Sequence, residues 1–380
     1  MPSRFEATAD VAILGAGPAG AAVALMLAPF HATLLIDKAD LDGEPRQAQR
    51  IGESLPGAAR RLLLDLGLWE DFTRQGHRPC HGSQSLWGGD APSWSDTVRD
   101  PDGHGWSLDR NRFDDWLRRR ANDRGAPVIA PAKLVGVIRD AHDWLLTLTR
   151  RDRRFTVRAR FVVDAGGRAA PLARALGHRR HRADRLICRW AHGVGGARLG
   201  LRSTAAEAEG WWYAADLPDG RSVLAFHTDA DLPAAKATEL TADLVTRALA
   251  RRDIADLLGV CEFEPTGKAG YCAAHSSWIA FGGPGWLSVG DAALACDPLS
   301  SQGLLTALYS GLMAAVAIRR MLAGDSDAQH SYWRTMKRVA EAYWTHRAAW
   351  YGTETRWSDS AFWARRQTSP EPTITEETPT

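Results

Sequence analysis

Apolar residues 11–15, the alanine-rich stretch behind Gly15, Gly17 and Gly20, and a second apolar run at 33–37 read as strand, tight turn, helix and strand. This is the opening of a doubly wound parallel sheet. Helical spacing then appears at 56–66, with proline near its start, and at 112–124, where Phe113, Trp116 and Leu117 share one face. Residues 128–138, 144–149 and 155–163 read as strands joined by charged turns, and Phe161 to Val163 is apolar enough to lie inside a sheet. From Arg185 to about Thr266 the pattern is strand-rich, with 211–217 and 223–228 flanking the turn Pro218, Asp219, Gly220. Short strands at 278–281 and 287–289 lead back to the first sheet, and helices follow at Gly303–Leu322 and 328–350. The tail beyond Gln367 is polar and rich in proline and threonine, the composition of a disordered segment, and no internal repeat is present.

Composition narrows the possibilities. The chain has 380 residues, 45% of them hydrophobic, enough for one large or two modest domains with a sizeable core. With 47 basic and 45 acidic side chains and a net charge of +2, no overall field calls for nucleic acid or an anionic membrane. The five cysteines are scattered, without zinc-site spacing or the density of a secreted disulfide scaffold, which fits a reducing cytoplasm. The first apolar run carries a glycine fingerprint rather than a cleavable signal. The most apolar helix reaches Arg319 and Arg320 before the roughly 20 residues a bilayer requires, so it is expected to be a buried helix.

The fingerprint is G-A-G-P-A-G, from Gly15 to Gly20, placed directly after a strand and at the head of a helix. Gly15 makes the tight turn, Gly17 lets the backbone approach a diphosphate, and Gly20 lets helix and strand pack. Pro18 and Ala19 open a helix whose N-terminus faces the phosphates. Asp37 closes the second strand about 20 residues on, where it accepts a ribose hydroxyl; Lys38 and Arg50 are further candidate cofactor contacts. The fingerprint points to a dinucleotide and leaves NAD and FAD open.

Four more segments carry a resemblance. Gly52, Glu53, Ser54, Leu55 and Pro56 form a G-E-S segment, with the proline one residue early. Asp109, Arg110, Phe113 and Asp114 give D-R-x-x-F-D, Asp164 to Gly167 reads D-A-G-G, and Gly290, Asp291 precede D-P-L-S-S-Q-G at Asp297 to Gly303. Together these resemble the superfamily of FAD-dependent aromatic hydroxylases, geranylgeranyl reductases and flavin-dependent halogenases, over nearly the whole chain. The resemblance implies an α/β fold: a Rossmann-type, glutathione reductase-like FAD-binding domain, a second β-sheet substrate domain and C-terminal helices. The FAD domain is expected at 1–84, 109–184 and 269–325, the substrate domain at 85–108 and 185–268, a helical region at 326–367 and a disordered tail at 368–380. It also implies FAD contacts from Glu53, Ser54, Arg110, Asp164, Gly166, Gly290, Asp291, Pro298, Ser301 and Gly303, with the helix N-terminus near Gly303 opposing negative charge on the reduced flavin ring.

The same resemblance frames the chemistry. The lysine of halogenases expected downstream of G-E-S has no counterpart, since His77, Cys80, His81 and Ser83 occupy that region. The halogenase W-x-W-x-I-P element is replaced by Trp211, Trp212, Tyr213 and a later Leu217, Pro218. Arg356, Trp357, Phe362, Trp363, Arg365 and Arg366 resemble a subgroup that includes maturation flavoproteins of tryptophylquinone enzymes, which hydroxylate tryptophan within a partner polypeptide; pinning the last helix to the core is the competing role for those tryptophans. The leading expectation is an FAD monooxygenase that hydroxylates an electron-rich aromatic ring through a flavin hydroperoxide. The ring belongs to a small molecule or to a tryptophan of a peptide or protein. O₂ is the co-substrate, and NAD(P)H or an external flavin reductase supplies electrons. Trp87, Trp211, Trp212 and Tyr213 are the candidate substrate walls, and His81, His227, Asp229 and His275 the candidate bases. Halogenation, reductase or dehydrogenase chemistry of the geranylgeranyl type, and a non-enzymatic flavin-bearing subunit are the alternatives.

Overall fold

The computed structural model describes residues 6–41, 51, 53–98, 100–140, 142–195, 200–258, 261–264, 267–368 and 374. Arg50, Gly52 and nearly all of the expected disordered tail lie outside the described residues, as does the side chain of Glu53.

The strand Glu6–Leu14 is the centre of the first sheet, parallel to Thr33–Ile36 on one side and to Arg153–Asp164 on the other. Val128–Ile129 and Trp286–Ser288 extend the parallel sheet outward. These strands are apolar along their length because both faces are covered. On one face Val11, Ile13 and Leu35 pack with the helices Pro18–Leu27, Arg110–Asp123 and Gly303–Leu322. On the other, Ala12, Leu14 and Leu34 meet Trp144, Leu146 and Leu148 of an antiparallel meander. The helix Gly303–Leu322 is long and apolar enough to span a bilayer, yet it is packed inside this core.

Several boundaries differ from the sequence reading, each for a local reason. The strand expected at 128–138 is two strands, Val128–Ile129 and Lys133–Asp140, because Pro131 between them has no N–H for a ladder. The helix expected at 112–124 begins at Arg110, where the Asp109 carboxylate caps it by accepting the Arg112 N–H at 3.0 Å. The helix expected at 56–66 is shorter, Ala59–Asp65.

The second sheet is mostly antiparallel, with Leu186–Gly195, Arg221–Asp229, Gly210–Asp216 and Leu201–Glu207 side by side. Gly82–Leu86 joins it in parallel to Leu201–Glu207 and crosses the boundary expected between 84 and 85. Gly270–Ala273 pairs with Leu186–Gly195 and lies beyond the boundary expected at 268. Gly105–Leu108, expected in the substrate domain, instead pairs with Glu53–Leu55 and Arg78–Cys80 in a small separate sheet. Within the region read as strand-rich, the helices Pro233–Ala237, Thr241–Leu249 and Arg252–Leu258 cover one face of the second sheet. The opposite face receives Ala328–Gly352 and Ala361–Thr368, through Tyr351, Phe362 and Trp363.

Pro18–Leu27 and Gly303–Leu322 cross closely because glycine stands at the contact: a Cβ on Gly311 would lie 2.6 Å from the Ala19 carbonyl oxygen. A Cβ on Gly20 would collide with the Gly15 carbonyl oxygen, a backbone atom that cannot swing aside. Gly20→Ala is therefore expected to destabilise the fold by about 1–3 kcal/mol, read as a lower urea midpoint. Gly17→Ala, with nothing within 4 Å of the new methyl group, should leave that midpoint in place.

Candidate functional site

A cavity of about 550 Å³ lies where the two sheets and the two crossed helices meet. Gly17, Pro18 and Ala19 line it from the N-terminus of one helix, and Ser301, Gly303 and Leu304 from the N-terminus of the other. Neither N-terminus is capped by a side chain, so N–H groups of both first turns are available to an anionic ligand. Gly17 and Gly303 both border open space, so a Cβ at either would occupy the cradle rather than strike protein. This is a seat that a dinucleotide diphosphate fits. Asp37 ties the turn to the second strand, its Oδ2 accepting the Ala16 N–H at 2.7 Å and its Oδ1 the Ala39 N–H at 2.8 Å. Its remaining lone pairs suit a ribose hydroxyl. Lys38 is exposed beyond it.

Other expected cofactor residues divide between lining and support. Ser54, Arg110, Asp291 and Pro298 line the cavity. Arg110 is held by a two-point pair to the buried Asp114 at 3.0 and 3.2 Å. Asp164 and Gly166 do not line it. The Asp164 carboxylate accepts the N–H groups of Gly166, Leu172 and Ala173 at 3.1, 2.8 and 2.9 Å, and burial pushes its carboxyl up to about 6 against those donors. It shapes the turn that presents Ala165, Gly167 and Arg168 instead. Gly290 is a packing glycine, since a Cβ there would come 2.8 Å from that of Ala19. Arg168, missed in the sequence reading although it follows D-A-G-G directly, lies 3.5 Å from Asp291 and donates to the carbonyls of His275 and Cys296. Arg180 donates to the carbonyls of Asp291 and Ala292 from the other side.

The second sheet supplies an aromatic wall. Register places Cys272, Cys188, His227 and Trp211 on one rung across four strands, and Gly270, Trp190, Ala225 and Tyr213 on the next rung that shares its face. A Cβ on Gly270 would collide with the Trp190 ring, so glycine there gives the indole its place. Trp211 and Tyr213 thus line the cavity with His227. Trp212, one residue out of phase, faces the other side, where its Nε1 donates to Glu207 and its ring packs on Phe226. Trp87 stands behind Trp211 with their ring centroids 6.4 Å apart, its Nε1 given to the Trp350 carbonyl, and does not reach the cavity.

Of the expected bases, His227 alone lines the cavity. Its ring stacks on Trp211 at 3.6 Å, neither nitrogen makes a hydrogen bond, and burial pushes it down to about 3. It is neutral, and a weak base, near pH 7. Asp229 is consumed by a fully buried pair with Arg366 and a second contact to Arg365. His81 is exposed beside His104, and His275 gives its carbonyl to Arg168. A buried relay links the wall to the D-P-L-S-S-Q-G loop: Trp211 Nε1 donates to Tyr351 at 3.2 Å, and the Tyr351 hydroxyl donates to Asp297 at 2.9 Å. Asp297 in turn accepts the Leu299 N–H, and Arg347 stands 3.6 Å away. Sequence spacing carries no signal for this relay.

Two outcomes follow. His227 falls to about 3 and His77 and His275 to about 4, all chiefly through burial, so the unfolded chain binds protons below about 6.5 that the fold refuses. The contribution of these three histidines is full above that pH and falls as pH drops toward 4. His227→Gln should flatten the fall by up to about 1.4 kcal/mol per pH unit in urea unfolding. Gly17→Ala should weaken flavin affinity at least about tenfold, measured by quenching of flavin fluorescence.

The sequence and the fold have known counterparts. The FAD binding domain family matches residues 8–346. The protein LodB of Marinomonas mediterranea, assigned as an FAD-dependent oxidoreductase, is 31% identical over 94% of this chain and 96% of its own. The myxobacterial chondrochloren halogenase CndH superposes with a TM-score of 0.85 at 26% identity, covering 95% of this chain and 86% of that one. The peptidyl tryptophan dihydroxylase QhpG, essential for tryptophylquinone cofactor biogenesis, superposes with a TM-score of 0.72 at 26% identity, covering 97% and 80%. The chain belongs to the FAD binding domain family of FAD-dependent oxidoreductases, with the α/β fold expected of it.

Proposed function

We propose that this chain is an FAD-dependent monooxygenase that places oxygen on an electron-rich aromatic ring, with the tryptophan side chain of a peptide or protein as its substrate. The observation that carries the reading is the aromatic wall of Trp190, Trp211 and Tyr213 facing the same cavity as the two uncapped helix N-termini. Bound FAD would supply the two-electron chemistry and the activation of O₂, with NAD(P)H or a flavin reductase as electron source.

The protein's own groups have separable roles. The first turn of Pro18–Leu27 binds the diphosphate, and the first turn of Gly303–Leu322 opposes negative charge on the ring system. Indole and phenol faces orient an aromatic guest and exclude water. His227, neutral and buried, stacks on Trp211 and holds that indole in place. QhpG, whose described activity is on peptidyl tryptophan, supports the substrate class.

Halogenation is the second reading, favoured by the superposition on CndH. Against it stand the cations among the described lining residues, which are two guanidiniums, Arg110 and Arg168, beside Asp114 and Asp291. Neither is an amine that a halogen could be carried on.

With reductant, a tryptophan-containing polypeptide and ¹⁸O₂, the product should gain labelled oxygen, and exchanging chloride for bromide should leave its mass unchanged. Oxygen drawn from labelled water, or a halide-dependent mass, would overturn the proposal.

A further inference from the structure

We propose that Cys188 and Cys272 form a dithiol–disulfide redox pair in the wall of the FAD cavity, exchanging two electrons with the bound flavin. The proposal rests on FAD occupying that cavity. It adds a second redox group to the site.

The two cysteines are directly opposed on the antiparallel strands Leu186–Gly195 and Gly270–Ala273, so their side chains project from one face. Opposed antiparallel residues hold their Cα atoms about 4.5–5.5 Å apart, inside the span of about 4.4–6.8 Å that a disulfide bridges. Neither is in a disulfide in this structure, and both line the cavity. Their rung continues into His227, whose ring nitrogens are buried and unbonded. Burial holds Cys188 in the thiol form, so the pair rests as a dithiol until an oxidant takes its electrons. Pairing leaves Cys80 and Cys261 elsewhere, and Cys296 on another segment of the cavity lining, next to Asp297.

The step balances. Two S–H bonds break and one S–S bond forms, releasing two electrons and two protons, and these convert one oxidised flavin to its two-electron-reduced form. The reverse reaction returns the dithiol.

Anaerobic titration of the oxidised holoprotein with dithionite should take about two equivalents per FAD rather than about one. Peptide mapping of the same oxidised protein after alkylation should recover the 188–272 bridge. Cys188→Ser and Cys272→Ser should each return the titration to one equivalent, and Cys261→Ser should not. If a serine variant fails to fold, the wild-type titration and map decide alone. A yellow wild-type protein that takes one equivalent and yields five alkylated thiols would overturn the pair while leaving the monooxygenase reading intact. A protein that binds no flavin would overturn both.

Discussion

The close crossing of Pro18–Leu27 and Gly303–Leu322 is the constraint on which the rest of the molecule turns. It exists because side chains are missing where the backbones meet, at Gly311 against Ala19 and Ala22, and beside the crossing at Gly290 against Ala19 and Ala307. Steric permission of this kind sets where two helix beginnings can lie, and here it brings both to one cavity. Their partial positive charges then act on the same bound molecule from two directions.

What the sequence displays openly is local. The glycine turn, its strand and its helix can be read at once because each step of that chemistry is played out between near neighbours. Alternation within a strand was equally legible in principle: Trp211 and Tyr213 share a face and Trp212 cannot, a distinction available from a period of two residues. Register is different. Nothing in the order of residues places Cys188 between Cys272 and His227, because that rung is assembled from strands far apart in the chain. Asp164 shows another limit, as the motif identifies a carboxylate but not that three backbone donors already claim it.

Polar groups join the two sheets into one unit. Asp297 reaches the aromatic wall through Tyr351, and Arg347 joins it to Asp184 at the start of the second sheet. Such a network is costly unless each member is satisfied, and it favours one arrangement of the parts over others of similar apolar burial. The shape of the wall is therefore tied to the loop that carries Ser301, which itself adopts a left-handed conformation, φ 52°, unusual for a residue with a side chain.

The C-terminal helices fasten that same face of the second sheet. Trp363 donates to Glu207, Arg366 pairs with Asp229, Glu354 accepts the Gly88 N–H, and the Trp350 carbonyl accepts from Trp87, across separations of 137 to 266 residues. Contacts of such long range close late in folding, so the chamber is sealed only after the local turn from Gly15 to Gly20 has formed.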